Sequence, residues 1–161
     1  RLERSKLRLR RAGVHNTTLR IIEESDKWLK RQAGTFDRVL VDAPCSGTGA
    51  WRRNPDARWH LSPENLKNLT KTQDGILDRG ARLVKPGGQL IYATCSLLNE
   101  ENTARIDAFL ARNDTFRIRP VHGVWQLVFD VSCPSDAPFL TLTPARHGTD
   151  GFFVAMLTRI S

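Results

Sequence analysis

The sequence predicts an α/β sandwich with a mostly parallel sheet, and three observations carry that expectation. Strand-like apolar runs alternate with stretches of helical period along most of the 161 residues. The run Val39-Leu40-Val41 is apolar without alternation, as in a strand covered on both faces. Between residues 62 and 88 a helix is punctuated at both ends, by Ser62-Pro63 at its start and Pro86-Gly87-Gly88 at its stop.

Taken in order, residues 1 to 12 read as a basic helix ended by Gly13. Thr18 to Ile22 read as a short strand and Asp26 to Ala33 as a short helix. Residues 36 to 42 form the next strand. Pro63 suits a first helical position, where no amide donor is needed, and Leu66, Leu69, Ile76, Leu77, Leu83 and Val84 recur at helical spacing behind it. A strand follows at Gln89 to Thr94. Asn99 reads as the cap of a helix through Asn113 that turns Ile106, Phe109 and Leu110 inward. Strands at Phe116 to Val121 and Gly151 to Ile160 complete the set, separated by a loop rich in Pro and Ser.

A chain of this length, 40% hydrophobic and 26% charged, is that of one ordinary globular domain. No run approaches the roughly 20 apolar residues that cross a bilayer, and no apolar signal core follows the basic opening. The chain reads as cytoplasmic. Its three cysteines are an odd number without a secretory context, which argues for free thiols. Cys45 and Cys95 lack Cys or His neighbours at zinc spacing, so no metal is expected. Cys133 reads as a loop or packing residue. Residues 1 to 31 hold ten Lys or Arg against four acids and so contribute +6 of the net charge of +8. Arg1, Arg4, Lys6, Arg8, Arg10 and Arg11 read either as a phosphate-facing strip or as a solvated helix face.

Four motifs carry chemistry: Asp42-Ala43-Pro44-Cys45-Ser46-Gly47-Thr48-Gly49; RRNPDARW at 52 to 59; Tyr92-Ala93-Thr94-Cys95-Ser96 with Asn99-Glu100-Glu101-Asn102 behind it; and HGTDGFFVA at 147 to 155. In this order they resemble the Fmu/Sun/RsmB-like family of RNA cytosine-carbon-5 methyltransferases. The resemblance implies a Rossmann-like class I methyltransferase sandwich with strand order 3-2-1-4-5-7-6. This chain would supply the strands from the third onward and lack the first two, with their glycine-rich turn and acidic residue. It would then be the C-terminal portion of one domain, with residues 1 to 35 detached or repositioned and 36 to 161 holding the motifs. Thr18 to Ile22 would be an unpaired strand open to self-association.

The resemblance also implies S-adenosylmethionine as methyl donor, held in part by Asp42, Ala43 and Pro44, and RNA as substrate, ribosomal RNA before transfer RNA. Carbon 5 of cytosine is too weakly nucleophilic to take a methyl group from a sulfonium, so a thiolate first adds at carbon 6. By resemblance Cys95 is that nucleophile, Cys45 assists removal of the carbon-5 proton, and Asp42 faces the amino and ring-nitrogen edge of the base. The cysteine roles could be exchanged, since in DNA cytosine methyltransferases the Pro-Cys cysteine attacks. Arg52, Arg53 and Arg58 are expected at RNA phosphates. Trp51 and Trp59 read as packing residues, and His147 to Phe152 as a substrate-side turn feeding the last strand. Without the missing half, the chain is expected to bind donor poorly and to be inactive alone. Two other readings stay open: an RNA-binding module without catalysis, and an amino-group methyltransferase, whose strand end carries Asp-Pro-Pro-aromatic and needs no thiol.

Overall fold

The computed structural model describes residues 2–22 and 27–161, with side chains of the first helix from residue 5 onward. Two compact units divide it, residues 1–31 and 32–161. The first holds α1 (Leu2–Arg11) and α2 (Lys27–Arg31). Arg8, Arg10 and Arg11 are exposed in the last turn of α1, where cations favour the negative end of the helix dipole. Arg1, the Arg4 side chain and Asp26 lie outside the described residues.

The expected strand at Thr18 to Ile22 does not form. Thr18, Ile21 and Ile22 have strand propensity, but a strand needs a hydrogen-bonded neighbour, and the described residues of this unit contain none.

The second unit runs β1 (Phe36–Asp42), 3-10 turns at Thr48–Ala50 and Pro55–His60, α3 (Pro63–Leu83) and β2 (Val84–Thr94). A 3-10 turn at Asn99–Glu101, α4 (Thr103–Arg112), β3 (Phe116–Ile118), α5 (Val121–Trp125), β4 (Leu140–Leu142), α6 (Pro144–His147) and β5 (Phe152–Arg159) follow. The sheet order is β1-β2-β5-β3, with β4 also paired to β5. That is the 4-5-7-6 part of the order that the resemblance implies. The sheet is mixed rather than mostly parallel by its ladders: β1 and β2 pair parallel, while β5 is antiparallel to β2, β3 and β4. A short turn through α6 suffices to return the chain from β4 into β5, whereas a parallel return would need a crossover.

Ser62 caps α3 by accepting from the Asn65 amide at 3.1 Å, and Pro63 occupies the first turn, as the sequence predicts. Lys85-Pro86-Gly87-Gly88 does not end the helix but forms an irregularity in β2, after which regular pairing resumes at Gln89 opposite Arg38. Helix α4 begins at Thr103, because Asn99 opens the 3-10 turn instead of capping it. The loop expected between the last two strands contains α5, β4 and α6.

Both long helices cover one face of the sheet. On that face Val39 and Val41 of β1 and Leu90 of β2 meet Gly80 of α3, where a Cβ would stand only 2.9 Å from Val41 Cγ2. Leu77, Leu90, Tyr92, Ile106, Phe109 and Leu157 are fully buried there, and Phe109 meets Phe116 edge-on with centroids 5.3 Å apart. Leu40, on the other side of β1, is 67% exposed, so β1 is covered on one face rather than two. Arg105 pairs with Asp74 at 2.8 Å and Arg112 with Asp78 at 3.1 Å, tying α4 to α3. Partly exposed pairs of this kind add little stability, and burial of the cluster beneath them dominates.

Candidate active site

The two motif cysteines meet where β1 and β2 end. Asp42 lies opposite Ala93 in the parallel ladder, and the Ala43 amide donates to the Ala93 carbonyl at 3.0 Å. Three steps along the chain lead from Asp42 to Cys45, but only two from Ala93 to Cys95. The extra residue is absorbed at Pro44, which has no amide proton to lose from the ladder and whose carbonyl accepts from Gln73 Nε2 at 2.9 Å. The slip brings the half-buried Cys45 and Cys95 face to face, Sγ to Sγ 3.4 Å. The next residues repeat the pairing, with Ser46 and Ser96 Oγ 3.3 Å apart.

Glu101 holds this arrangement from below, and sequence reasoning assigned it no role. It is fully buried, and its carboxylate accepts from the Ser46 amide at 2.9 Å, from Gln73 Nε2 at 3.0 Å and from the Ser46 hydroxyl. Its carbonyl accepts from the buried Tyr92 hydroxyl at 2.7 Å. Burial, and the Glu101 charge, raise the Tyr92 phenol well above its ordinary value. Asn102 works beside it: Nδ2 donates to the Ser96 carbonyl at 2.9 Å, and Oδ1 accepts from Thr94 Oγ1 at 2.6 Å. The only hint in the sequence is a polar Asn-Glu-Glu-Asn run soon after Cys95, a pattern shared with any exposed turn.

The glycines of the first motif join three loops. Gly47 takes φ +68°, a left-handed backbone that turns the chain two residues after Cys45. Gly49 donates to the Cys95 carbonyl at 2.9 Å and accepts from the Gly151 amide at 2.9 Å. The two glycines are so close that a Cβ on Gly49 would stand 2.5 Å from the Gly151 carbonyl oxygen. Thr48 Oγ1 accepts from the Leu97 amide at 2.8 Å. The closing motif therefore packs directly against the first one.

Burial, followed by the hydrogen bond with Cys95, pushes the Cys45 thiol up to about 12. Cys45 thus keeps its proton at neutral pH and can donate it toward the Cys95 sulfur. Asp42 ends β1 exposed, its side chain without a hydrogen bond or ion pair among the described residues; Ala43 is buried and Pro44 exposed. Arg52 and Arg53, 73% and 69% exposed, share the carboxylate of Asp150, Arg52 at 3.6 Å. Arg58 lies 4.6 Å over the Trp59 ring. Trp59 is 75% exposed and is not a packing residue; Trp51 is half-buried, its indole N–H unpaired. His147 is bound into its own turn, Nδ1 accepting from the Thr143 amide at 2.9 Å. Cys133 is half-buried in the loop before β4.

Comparison with known proteins agrees with this architecture. The family described as 16S rRNA methyltransferase RsmB/F matches residues 1–158. Ribosomal RNA small subunit methyltransferase B of Shewanella oneidensis is 37% identical over 164 residues, spanning 99% of this chain and 35% of that protein. The crystal structure of PH0851 matches with a TM-score of 0.84 and 32% identity over 98% of this chain and 34% of that one. NSun6 from Pyrococcus horikoshii, solved with SFG, shares the fold at a TM-score of 0.75 and 21% identity, over 100% of this chain and 39% of that one. With its strand order, its paired cysteines and these matches, the chain belongs to the 16S rRNA methyltransferase RsmB/F family.

Proposed function

We propose that this chain is the C-terminal part of a catalytic domain that makes 5-methylcytosine in ribosomal RNA in the cytoplasm, with S-adenosylmethionine as donor. The observation that carries the reading is the contact of Cys45 and Cys95 at 3.4 Å on adjacent strand ends. An amino-group methyltransferase has no use for such a pair.

Cys45 stays protonated and lies 3.4 Å from Cys95, where it can donate to the attacking sulfur, which supports Cys95 as the nucleophile. The Cys95 thiolate adds to carbon 6 of the cytosine, and negative charge develops on the ring-nitrogen and carbonyl side while carbon 5 becomes nucleophilic. Asp42, unpartnered at the strand end, sits over that edge and stabilises the charge through a shared proton. The donor supplies the methyl group as an electrophilic carbon. The residues present fit part of it: the free Asp42 carboxylate, the Ala43 backbone and the exposed Pro44 ring would line its methionine end. Water takes the carbon-5 proton with Cys45 assisting beside it; the ring double bond re-forms as the carbon 6 to sulfur bond breaks, restoring the Cys95 thiolate. Arg52, Arg53 and Arg58 contact RNA phosphates, the first two exchanging Asp150 for the backbone.

The test uses the parent-length protein with RNA containing 5-fluorocytosine, whose fluorine cannot leave as a proton does. A denaturation-resistant adduct lost in Cys95→Ala but retained in Cys45→Ala is the expected result. Dependence on Cys45 alone would exchange the roles. RNA binding without any adduct in the wild type would leave only an RNA-binding module, the reading favoured by the exposed cations of α1.

A further inference from the structure

A cavity of 660 Å³ opens beside the cysteine pair, and the reaction as described makes no use of it. Its inner wall is Cys45 and Ser46; the rest comes from the Pro55–His60 turn and the first turns of α3. Neither Cys95 nor Asp42 lines it, so it is not where the reacting cytosine meets its nucleophile. It lies next to that place, on the Cys45 side.

The lining has a definite chemistry. Ala57, Leu61 and Leu69 give it an apolar surface, Asn54, Asn65, Asn68 and Thr72 give it neutral donors and acceptors, and Asp56 and His60 add a carboxylate and an imidazole that can pair with the amino and ring-nitrogen groups of a base. No Lys or Arg lines it, which disfavours a phosphate; Arg52, Arg53 and Arg58 stand on the same chain segment without entering. Two of the amides are uncommitted: the Asn54 and Asn68 side chains make no hydrogen bond among the described residues, whereas Asn65 Nδ2 already donates to the His60 carbonyl at 2.7 Å. A flat apolar ring with amide-like edges suits these walls, and asparagine offers a donor and an acceptor side by side to such an edge. The volume lies within the range of small-molecule sites, roughly 300–1,000 Å³, and admits a base with its ribose.

We infer that this cavity receives the nucleotide next to the target cytosine in the RNA strand, and that Asn54 and Asn68 read the edge of its base. The inference rests on the RNA-methylating reading above. It gives the enzyme a sequence preference located outside the reacting base, at a position that touches the back of the catalytic loop.

The experiment uses the parent-length protein and short single-stranded RNAs with one 5-fluorocytosine flanked in turn by each of the four bases on either side. Wild type is expected to favour one base at one flanking position by about tenfold or more in adduct formation, and Asn54→Ala/Asn68→Ala to flatten that preference to within about threefold. A 4-thiouridine at the same flanking position is expected to photocrosslink within residues 54–72. Adducts formed without any flanking preference, or a preference unchanged by the double substitution, would overturn the inference, as would crosslinks confined to other residues. Absence of adduct with every RNA would instead sink the catalytic reading, and the crosslink map alone would then decide whether the cavity holds a nucleotide.

Discussion

Removal of the Glu101 side chain should unfold the site before it touches the chemistry. In Glu101→Ala the Ser46 amide, the Ser46 hydroxyl and one of the two Gln73 Nε2 protons lose an acceptor, the other proton keeping the Pro44 carbonyl, and a void opens where the buried side chain was. Each stranded buried donor costs about 1–3 kcal/mol. The Ser46 hydroxyl can turn to Ser96 Oγ, already 3.3 Å away, so two donors remain stranded and the expected loss is about 3–5 kcal/mol. Glu101→Gln is the informative control. With its amide nitrogen toward Ser46 Oγ, which can accept as well as donate, it keeps the bonds to the Ser46 amide and Gln73, and the loss falls to about 1 kcal/mol. Urea unfolding of the three chains at neutral pH measures both. Unfolding free energies for Glu101→Ala and Glu101→Gln that differ by less than about 1 kcal/mol would refute the reasoning, because Gln keeps both the bonds and the filled volume that Ala removes.

Gly49→Ala should displace the closing loop, since the added carbon would fall 2.5 Å from backbone that cannot rotate away; a loss of about 1–3 kcal/mol and a weaker adduct are expected, read by urea unfolding and by the 5-fluorocytosine assay. Cys45 is raised from 9.0 to about 12 in the folded chain, so its contribution is fully present below pH 9 and lost as pH climbs toward 12; wild type should lose stability over that window more steeply than Cys45→Ala, as thermal melts across pH would register. The purified 161-residue chain, which spans 35% of its Shewanella relative, should transfer no methyl group from labelled donor to RNA, and measurable transfer would contradict that.

Much of the site could be read in the sequence because its chemistry is local to short motifs: two cysteines at strand ends, and glycines where backbones crowd. Strand β1 and the start of α3 were equally plain, the first from its apolar run and the second from Ser62-Pro63. What escaped depends on distant partners. Thr18 to Ile22 carry strand propensity but have no neighbour to pair with among the described residues. Strand β4 is three residues long and exists only because β5 runs beside it. Leu40 looked buried because composition cannot tell a strand covered on one face from one covered on two. Glu101 and Gln73 are polar residues in polar surroundings until the fold closes over them.

The parallel pairing that joins the cysteines also sets which changes of length the protein can tolerate. Fifty residues separate the two sulfurs, and closing a loop of that size costs on the order of 3–4 kcal/mol of chain entropy, rising by only about 0.6 kcal/mol for each doubling. Insertions between Trp51 and Leu61 should therefore leave the sulfurs together. A single residue added or deleted between Asp42 and Cys45 would instead undo the slip at Pro44 and turn Cys45 away from Cys95, although the strand before it could stay fully paired. Two segments a few residues apart thus differ sharply in how freely their length can drift, and a library of one-residue insertions scanned from Val41 to Leu61 would show the boundary as a step.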